Sequence, residues 1–468
     1  MAPASSPATQ PTSNIDQSLE GTPSFDGVEE TEHHLYHGIG NLLAGLLTVC
    51  IPVIAADLHI PPALQLWPTA AFPLACGCML LPCGAAADVL GCRRACLLGG
   101  LLQTASALGA ELSATGTQLI VRRVIVGLAA SFCLPSAVGV TAHVFPANSS
   151  PRRRSIAFAA MGGGQAVGFG LGLALGGVFS DTIGWRWGFY VTAILNSAVL
   201  ALALWAIPKS ADGGPLGKAS LTFLLISACL ALFSYELAVA TGSDADRSMR
   251  QPLSLILLCS PLALILIFVL WMRRQARLSR PALVLNSLWT NVPFTVVCIT
   301  VFLVWGTLNA SEQLTALYLQ DVRGTSTLTA SLYFMVAPVC GLLMNAAIGI
   351  SLPYLKPSIA VPTGCLVSGI APLLLATLCG VDGLGFLAWY LIYTIANLVM
   401  TDSFPAKTQA LAGGVFNMLA QVDHAKSVTA LLKGYKSGWW YNCGLGFVSV
   451  DVSFGGLRSV KRLEMKRD

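Results

Sequence analysis

Apolar residues run through this chain in long unbroken blocks rather than in alternation. They occupy 39–57, 67–87, 95–114, 119–145, 156–179, 188–207, 219–240, 253–271, 292–312, 328–350, 358–379 and 383–401. A weaker block covers 411–422, and a last one runs at about 439–457. A helix crossing a bilayer needs about 20 mostly apolar residues. The pattern therefore predicts an all-α polytopic membrane protein with twelve good spans, one stunted and one late. Continuous blocks exclude a transmembrane barrel, whose strands alternate. Composition agrees: 55% of the 468 residues are hydrophobic and 10% charged, against about 25% charged in a soluble domain.

Charge placement adds orientation, because cytosolic turns collect Lys and Arg. With the N-terminus in the cytosol, the inner turns hold Arg93, Arg94, Arg152, Arg153, Arg154, Lys209, Lys218, Arg273, Arg274, Arg277, Arg280, Lys356 and Lys407. The outer turns hold fewer: Arg186, Arg247, Arg250, Arg323, Lys426, Lys433 and Lys436. A cytosolic C-terminal tail (458–468) then needs an even number of crossings, so the stunted block should still cross. Residues 1–35 begin with a Ser-, Thr- and Pro-rich stretch and read as a disordered cytosolic tail without a signal peptide. The 14 cysteines lie mostly inside apolar blocks without ligand spacing and read as small hydrophobes.

Between the second and third blocks stands GAAADVLGCRR, with Gly84, Asp88, Gly91, Arg93 and Arg94. An Asp at a helix C-terminal end opposes the dipole and needs a partner, which the adjacent arginines could supply. Plain positive-inside anchoring explains the arginines equally well. The fourth block opens with RRVIVGLAA, placing Arg123 and Gly127 at membrane depth, where a guanidinium is costly; snorkelling suits Arg122 better. In GGGQAVGFGLGLALGG, Gly164, Gly168, Gly172 and Gly176 recur every fourth residue, with Gly177 following. Such a face lets another helix approach backbone to backbone.

These stretches, with DTIGWRWGFYV (181–191), SLWTNVPFTVVC (287–298), ALYLQDVRG (316–324) and TDSFPAKTQALAGGVFNMLAQ (401–421), resemble the major facilitator superfamily. They are similar to its fungal fourteen-helix drug:proton antiporters, including members likened to aminotriazole-resistance and ammonium-export proteins. Leu173 stands where the family usually has proline, and Cys92 where it often has a basic or polar residue. The resemblance implies two pseudo-symmetric helical bundles plus an extra helix pair, about 13–14 transmembrane helices in all. The N-terminal six-helix bundle would be 36–207, the extra pair 208–271 and the C-terminal bundle 272–457. Compared with relatives, the chain is shortened around 389–395 and 421–431.

The resemblance further implies proton-coupled efflux of small organic compounds, drugs or toxic metabolites by a monomer with no cofactor. Asp88, Arg93 and Arg94, with Gly84 and Gly91, would form a cytosolic latch between the two halves. Arg123 and Gly127 would serve proton coupling, and the glycines of the fifth helix would set how tightly the halves pack. The plasma membrane is the first expectation and the vacuolar membrane the second.

A carboxylate inside a bundle can carry a proton. Glu236 lies in the seventh block, while Glu312, with Asn309 and Gln313, closes the ninth and Asp402 the twelfth. Glu312 and Asp402 read first as interfacial. His33, His34 and His37 have no second ligand set, which argues against metal. Neither a nucleic-acid partner nor an enzyme site is expected: GGGQAVGFG lies inside an apolar helix, not after a strand, so it is no phosphate cradle. The alternatives are a facilitator, importer or exporter of a small solute such as ammonium, and, in another class, a non-transporting receptor or an inactive truncated copy.

Overall fold

The computed structural model describes residues 26–61, 64–144, 151–206, 292–336, 338–339, 357–378 and 428–457, with isolated positions between 263 and 274. The spans expected at 219–240, 383–401 and 411–422, nearly all of 253–271, Glu236, Asp402 and both shortened regions fall largely or wholly outside these residues. Among the described residues the regular structure is helical: α1 (Asp26–Asp57), α2 (Trp67–Leu90), α3 (Cys92–Glu111), α4 (Gly116–Val144), α5 (Pro151–Asp181), α6 (Arg186–Ala206), α7 (Val292–Asp321), α8 (Thr327–Phe334), α9 (Pro357–Leu378) and α10 (Val428–Leu457). Three of them carry stretches long and apolar enough to cross a membrane by themselves: Gly38–Asp57, Gly116–Ser136 and Arg186–Trp205.

Three helices extend well beyond their apolar blocks, and α8 stops at Phe334, inside the block expected at 328–350. Helix begins at Asp26, inside the expected tail. α7 continues nine residues beyond the expected end at 312. α10 begins eleven residues before 439 and carries Lys433 and Lys436 in its first turns. In each case helix propagates past the apolar block, because adding a residue to an existing helix costs far less than nucleating one.

Helix ends define two faces. On one, Arg186 pairs with Asp57 at 2.7 Å, Asp181 meets the start of α8, and Tyr435 donates to Asp321 at 2.9 Å. On the other, Arg93 meets Leu204 at the end of α6, and Gly456 lies against Val296 near the start of α7. α9 runs antiparallel to α10, with Cys365 beside Ser449 and Ser453 and Gly369 against Gly446. So α9 ends and α10 begins on the Asp57 face, and the chain leaves α10 on the Arg93 face. The parity that the charge pattern demanded is present in the described helices, and α5 starts on the face of Arg93.

Helices α1–α6 form one half: α1 packs on α5 and α6, while α4 packs on α2 and α3. The pairings α3–α6 and α1–α6 recur as α9–α10 and α7–α10 in the other half, as expected of an internally repeated transporter. Lipid offers no solvent for polar groups. Hydroxyls therefore bond back to carbonyls four residues earlier, as Thr48 does to Ala44 at 3.0 Å, Ser131 to Gly127 at 2.9 Å and Thr315 to Ser311 at 2.7 Å.

Candidate functional site

The two halves meet through α1 with α7 and through α5 with α8. Pro52 lies inside α1; lacking an N–H, it leaves the carbonyl of Thr48 without its usual helical donor. Opposite this break, α7 presents two glutamines seven residues apart, two turns along one face. Gln313 Nε2 donates to Thr48 Oγ1 at 3.1 Å, and Gln320 Nε2 donates to the Val49 carbonyl at 2.9 Å. A different face of α7 serves its own half. Ser311 Oγ accepts from Asn442 Nδ2 at 3.0 Å, and Tyr318 packs edge-on to Trp439 with centroids 5.2 Å apart.

From Val304 to Leu319 every residue of α7 is buried except Trp305, Asn309 and Glu312. Steps of four and three residues put these three on one helical face. In hydrocarbon an amide and a carboxylate are expected to face the bundle interior rather than lipid. Asn309 donates to the Trp305 carbonyl at 2.8 Å. The buried indole N–H of Trp305 has no partner among the described residues. Glu312 likewise has no hydrogen-bond or ion-pair partner among them. The helix does not end there as the apolar block did: α7 runs on past Glu312 to Asp321, and residues 313–319 are buried.

Arg123 is 1% exposed. Its Nε donates to the Pro68 carbonyl at 3.0 Å, and its guanidinium lies 4.9 Å from the Phe72 ring centre, so it ties α4 to the first turns of α2. Gly127, one turn on, lets the helices close: a Cβ there would lie 2.8 Å from Ala75 Cβ and 3.1 Å from Cys76 N.

The glycines of α5 divide between two partners. A Cβ at Gly168 would meet Gly38 of α1, one at Gly172 would meet Leu42, and one at Gly176 would lie 3.0 Å from Leu46 Cα. Gly164 continues the row, its carbonyl 3.2 Å from a Cβ built on Gly38. Partners at 38, 42 and 46 advance by four, so the seam is one helix face on another, and it lies inside one half. Leu173, in the family's proline position, is fully buried there.

Gly177, grouped with that row from sequence, points elsewhere. A Cβ there would lie 2.9 Å from Leu328 Cα of α8, and one at Gly170 would lie 2.7 Å from Pro338 Cβ. The contact between halves thus belongs to Gly170 and Gly177, correcting the expectation for the four-residue row. Gly170 was not singled out from sequence, because its offset breaks the period of four.

At the other face, Gly91 is the single residue between α2 and α3 and has φ 85°, a conformation glycine adopts freely. Asp88 lies in the last turn of α2, with its side chain outside the described residues. Arg93 donates to the Leu204 carbonyl at 3.0 Å, capping the negative end of α6. Arg94 is exposed. A Cβ at Gly84 would make ordinary contact with Pro135, at 3.5 Å, so close approach does not require glycine there.

Comparison with known proteins places this architecture. Residues 38–422 match the profile of the Major Facilitator Superfamily. MFS-type transporter 1 of Pyricularia oryzae is 31% identical over an alignment of 488 positions, covering 91% of this chain and 78% of that protein. The aminotriazole resistance protein of Saccharomyces cerevisiae is 21% identical over 427 positions, 84% of this chain and 77% of that one. The drug efflux pump JefA of Mycobacterium tuberculosis is 27% identical over 333, covering 70% and 64%. A solved structure described as giving structural insights into substrate recognition in proton dependent oligopeptide transporters superposes with TM-score 0.64 at 16% identity, over 92% of this chain and 98% of that one.

Proposed function

The chain belongs to the major facilitator superfamily of multi-pass secondary transporters, and on that premise we propose that it exports small organic or toxic compounds in exchange for protons. The observation that carries this reading is the strip Trp305, Asn309 and Glu312, the only positions not buried between Val304 and Leu319 of α7, a helix that also meets α1 of the opposite half. Glu312 is the carboxylate that takes a proton from one side and yields it to the other as the halves rock. Trp305 and Asn309 contribute a ring and an amide to the same surface. Glu236 is a second candidate carboxylate.

Arg123 shapes the field around this pathway from within its own half. Asp88, with Arg93 and Arg94, latches the halves on the cytosolic face, where Arg93 already braces α3 against α6. The names of two similar proteins, an aminotriazole resistance protein and a drug efflux pump, favour export of toxic solutes. On this reading the chain is a monomer of the fourteen-helix drug:proton antiporter branch, in the plasma membrane. It divides into bundles at 36–207 and 272–457 around the pair at 208–271.

Everted vesicles carrying the protein, with an imposed pH gradient, test this against a panel of dyes, azoles and ammonium analogues. Gradient-driven transport should fall at least tenfold in Glu312→Gln, while exchange of labelled for unlabelled substrate without a gradient persists. Undiminished gradient-driven transport in Glu312→Gln would sink the assignment. Transport that ignores the gradient in the parent would make the protein a facilitator.

A further inference from the structure

On the Asp57 face the halves touch at Asp181, the first residue of the DTIGWRWGFYV stretch. α5 ends at Asp181 and α8 begins at Thr327. Asp181 Oδ2 accepts a hydrogen bond from the Leu328 backbone N–H at 3.0 Å. The preceding residue, Ser180, places its Oγ 3.5 Å from Thr327 Oγ1. One turn back along α5, Gly177 lies so close to Ser331 that an added Cβ would stand 2.8 Å from the serine Cβ. Two successive turns of α5 thus engage the first turns of α8.

The first N–H groups of a helix have no partner within it. In α8, Ser326 accepts from the Thr329 N–H at 3.2 Å, as its own N-cap. The Leu328 N–H goes to a residue 147 positions away in the opposite half. The start of α8 is capped partly by its own chain and partly by the other bundle. A carboxylate suits that place twice over, as a strong acceptor and as a negative charge at the positive end of the helix. Asp181 is also exposed, so water can replace the bond when the halves separate. Such a contact is specific enough to define a closed state and weak enough to break in every cycle.

We propose that Asp181 is the outer clasp of the transport cycle: it caps α8 while the Asp57 face is closed and releases it when that face opens. This rests on the reading of two rocking halves, and on the charge pattern for which face is outer. It assigns Asp181 a role in setting the conformational balance, distinct from any contact with substrate or proton.

Ser331 reports the clasp directly, because it is fully buried beneath the contact. In a Ser331→Cys chain, the rate of labelling by a membrane-impermeant thiol reagent from outside is read over the background of the chain lacking that cysteine. Adding Asp181→Ala should raise the rate about tenfold, the scale of a lost hydrogen bond to a charged group. Asp181→Asn should raise it no more than about threefold, since the amide oxygen still accepts from Leu328. An Asp181→Ala rate within twofold of the parent overturns the proposal, as does an Asp181→Asn rate equal to that of Asp181→Ala. Neither substrate nor gradient enters the measurement, so its failure and that of proton-coupled export are separate results.

Discussion

Replacing Gly172 by alanine perturbs the seam between α1 and α5 at its tightest point. The new methyl would lie 2.7 Å from the carbonyl carbon of Leu42 and 2.9 Å from its Cα, with the carbonyl oxygen nearer still. These are backbone atoms of α1 and cannot swing aside, so the helices must part by roughly 1 Å to restore ordinary contact. The separation spreads along the row to Gly168 and Gly176. A radial gap of that size forfeits about a quarter to a half of each contact's attraction. In lipid, packing of this kind is a principal force holding helices together. Overpacking costs about 1–3 kcal/mol, partly offset by about 1 kcal/mol of helix propensity gained over glycine. The net loss is about 0–2 kcal/mol, and the immovable backbone atoms at the contact put it near the upper end. Fluorescence-monitored thermal unfolding of the purified, detergent-solubilised protein should show a fall of about 1–2 °C, since 468 residues give a large unfolding entropy. Gly84→Ala is the matched control: among the described residues its methyl would meet Pro135, at 3.5 and 3.6 Å, so the midpoint should rise by about 1 °C from the propensity gain. A Gly172→Ala protein as stable as the parent, or a Gly84→Ala protein that falls as far, would refute the backbone-seam argument.

Two further outcomes are expected. Thr48→Val leaves the buried Gln313 amide without this acceptor, while Gln313→Leu leaves Thr48 its bond to Ala44; a double-mutant cycle on thermal stability should give about 1 kcal/mol of coupling, and additive losses would deny that this bond joins α1 to α7. At the Asp57–Arg186 pair, both side chains are over 40% exposed, at 45% and 41%, so Arg186→Ala should cost under about 1 kcal/mol and less in high salt. Asp57→Ala should cost about 1–3 kcal/mol, because the indole N–H of the buried Trp185 also loses its acceptor at 3.1 Å; equal losses in the two variants would show that the indole bond contributes nothing.

Much of the helical frame was legible in the chain. Apolar blocks placed α2–α6 and the end of α1 to within a few residues, because a segment in hydrocarbon must satisfy its backbone internally and be apolar outside. The charges of the turns fixed a parity that the described ends of α6, α7, α9 and α10 obey. Glycine at every fourth position announced a close helical approach. The site was read less completely. Hydropathy ended the ninth span at Glu312 because Gln313, Gln320 and Asp321 look like boundary residues, yet Thr48, Val49 and Tyr435 receive them inside the fold.

What the sequence determined alone was governed by local period and by transfer between water and lipid: the helices and, among the described residues, most of their extents. Tertiary structure decided which helix each face meets. A row of glycines says that some backbone comes near, but only the packed molecule shows Gly172 against Leu42 within one half and Gly177 against α8 of the other. It likewise sent Arg93 to the end of α6 and Asp181 to the start of α8. The reason is physical: burial depends on a residue's own chemistry, whereas a contact depends on two surfaces far apart in the chain whose register no local pattern encodes.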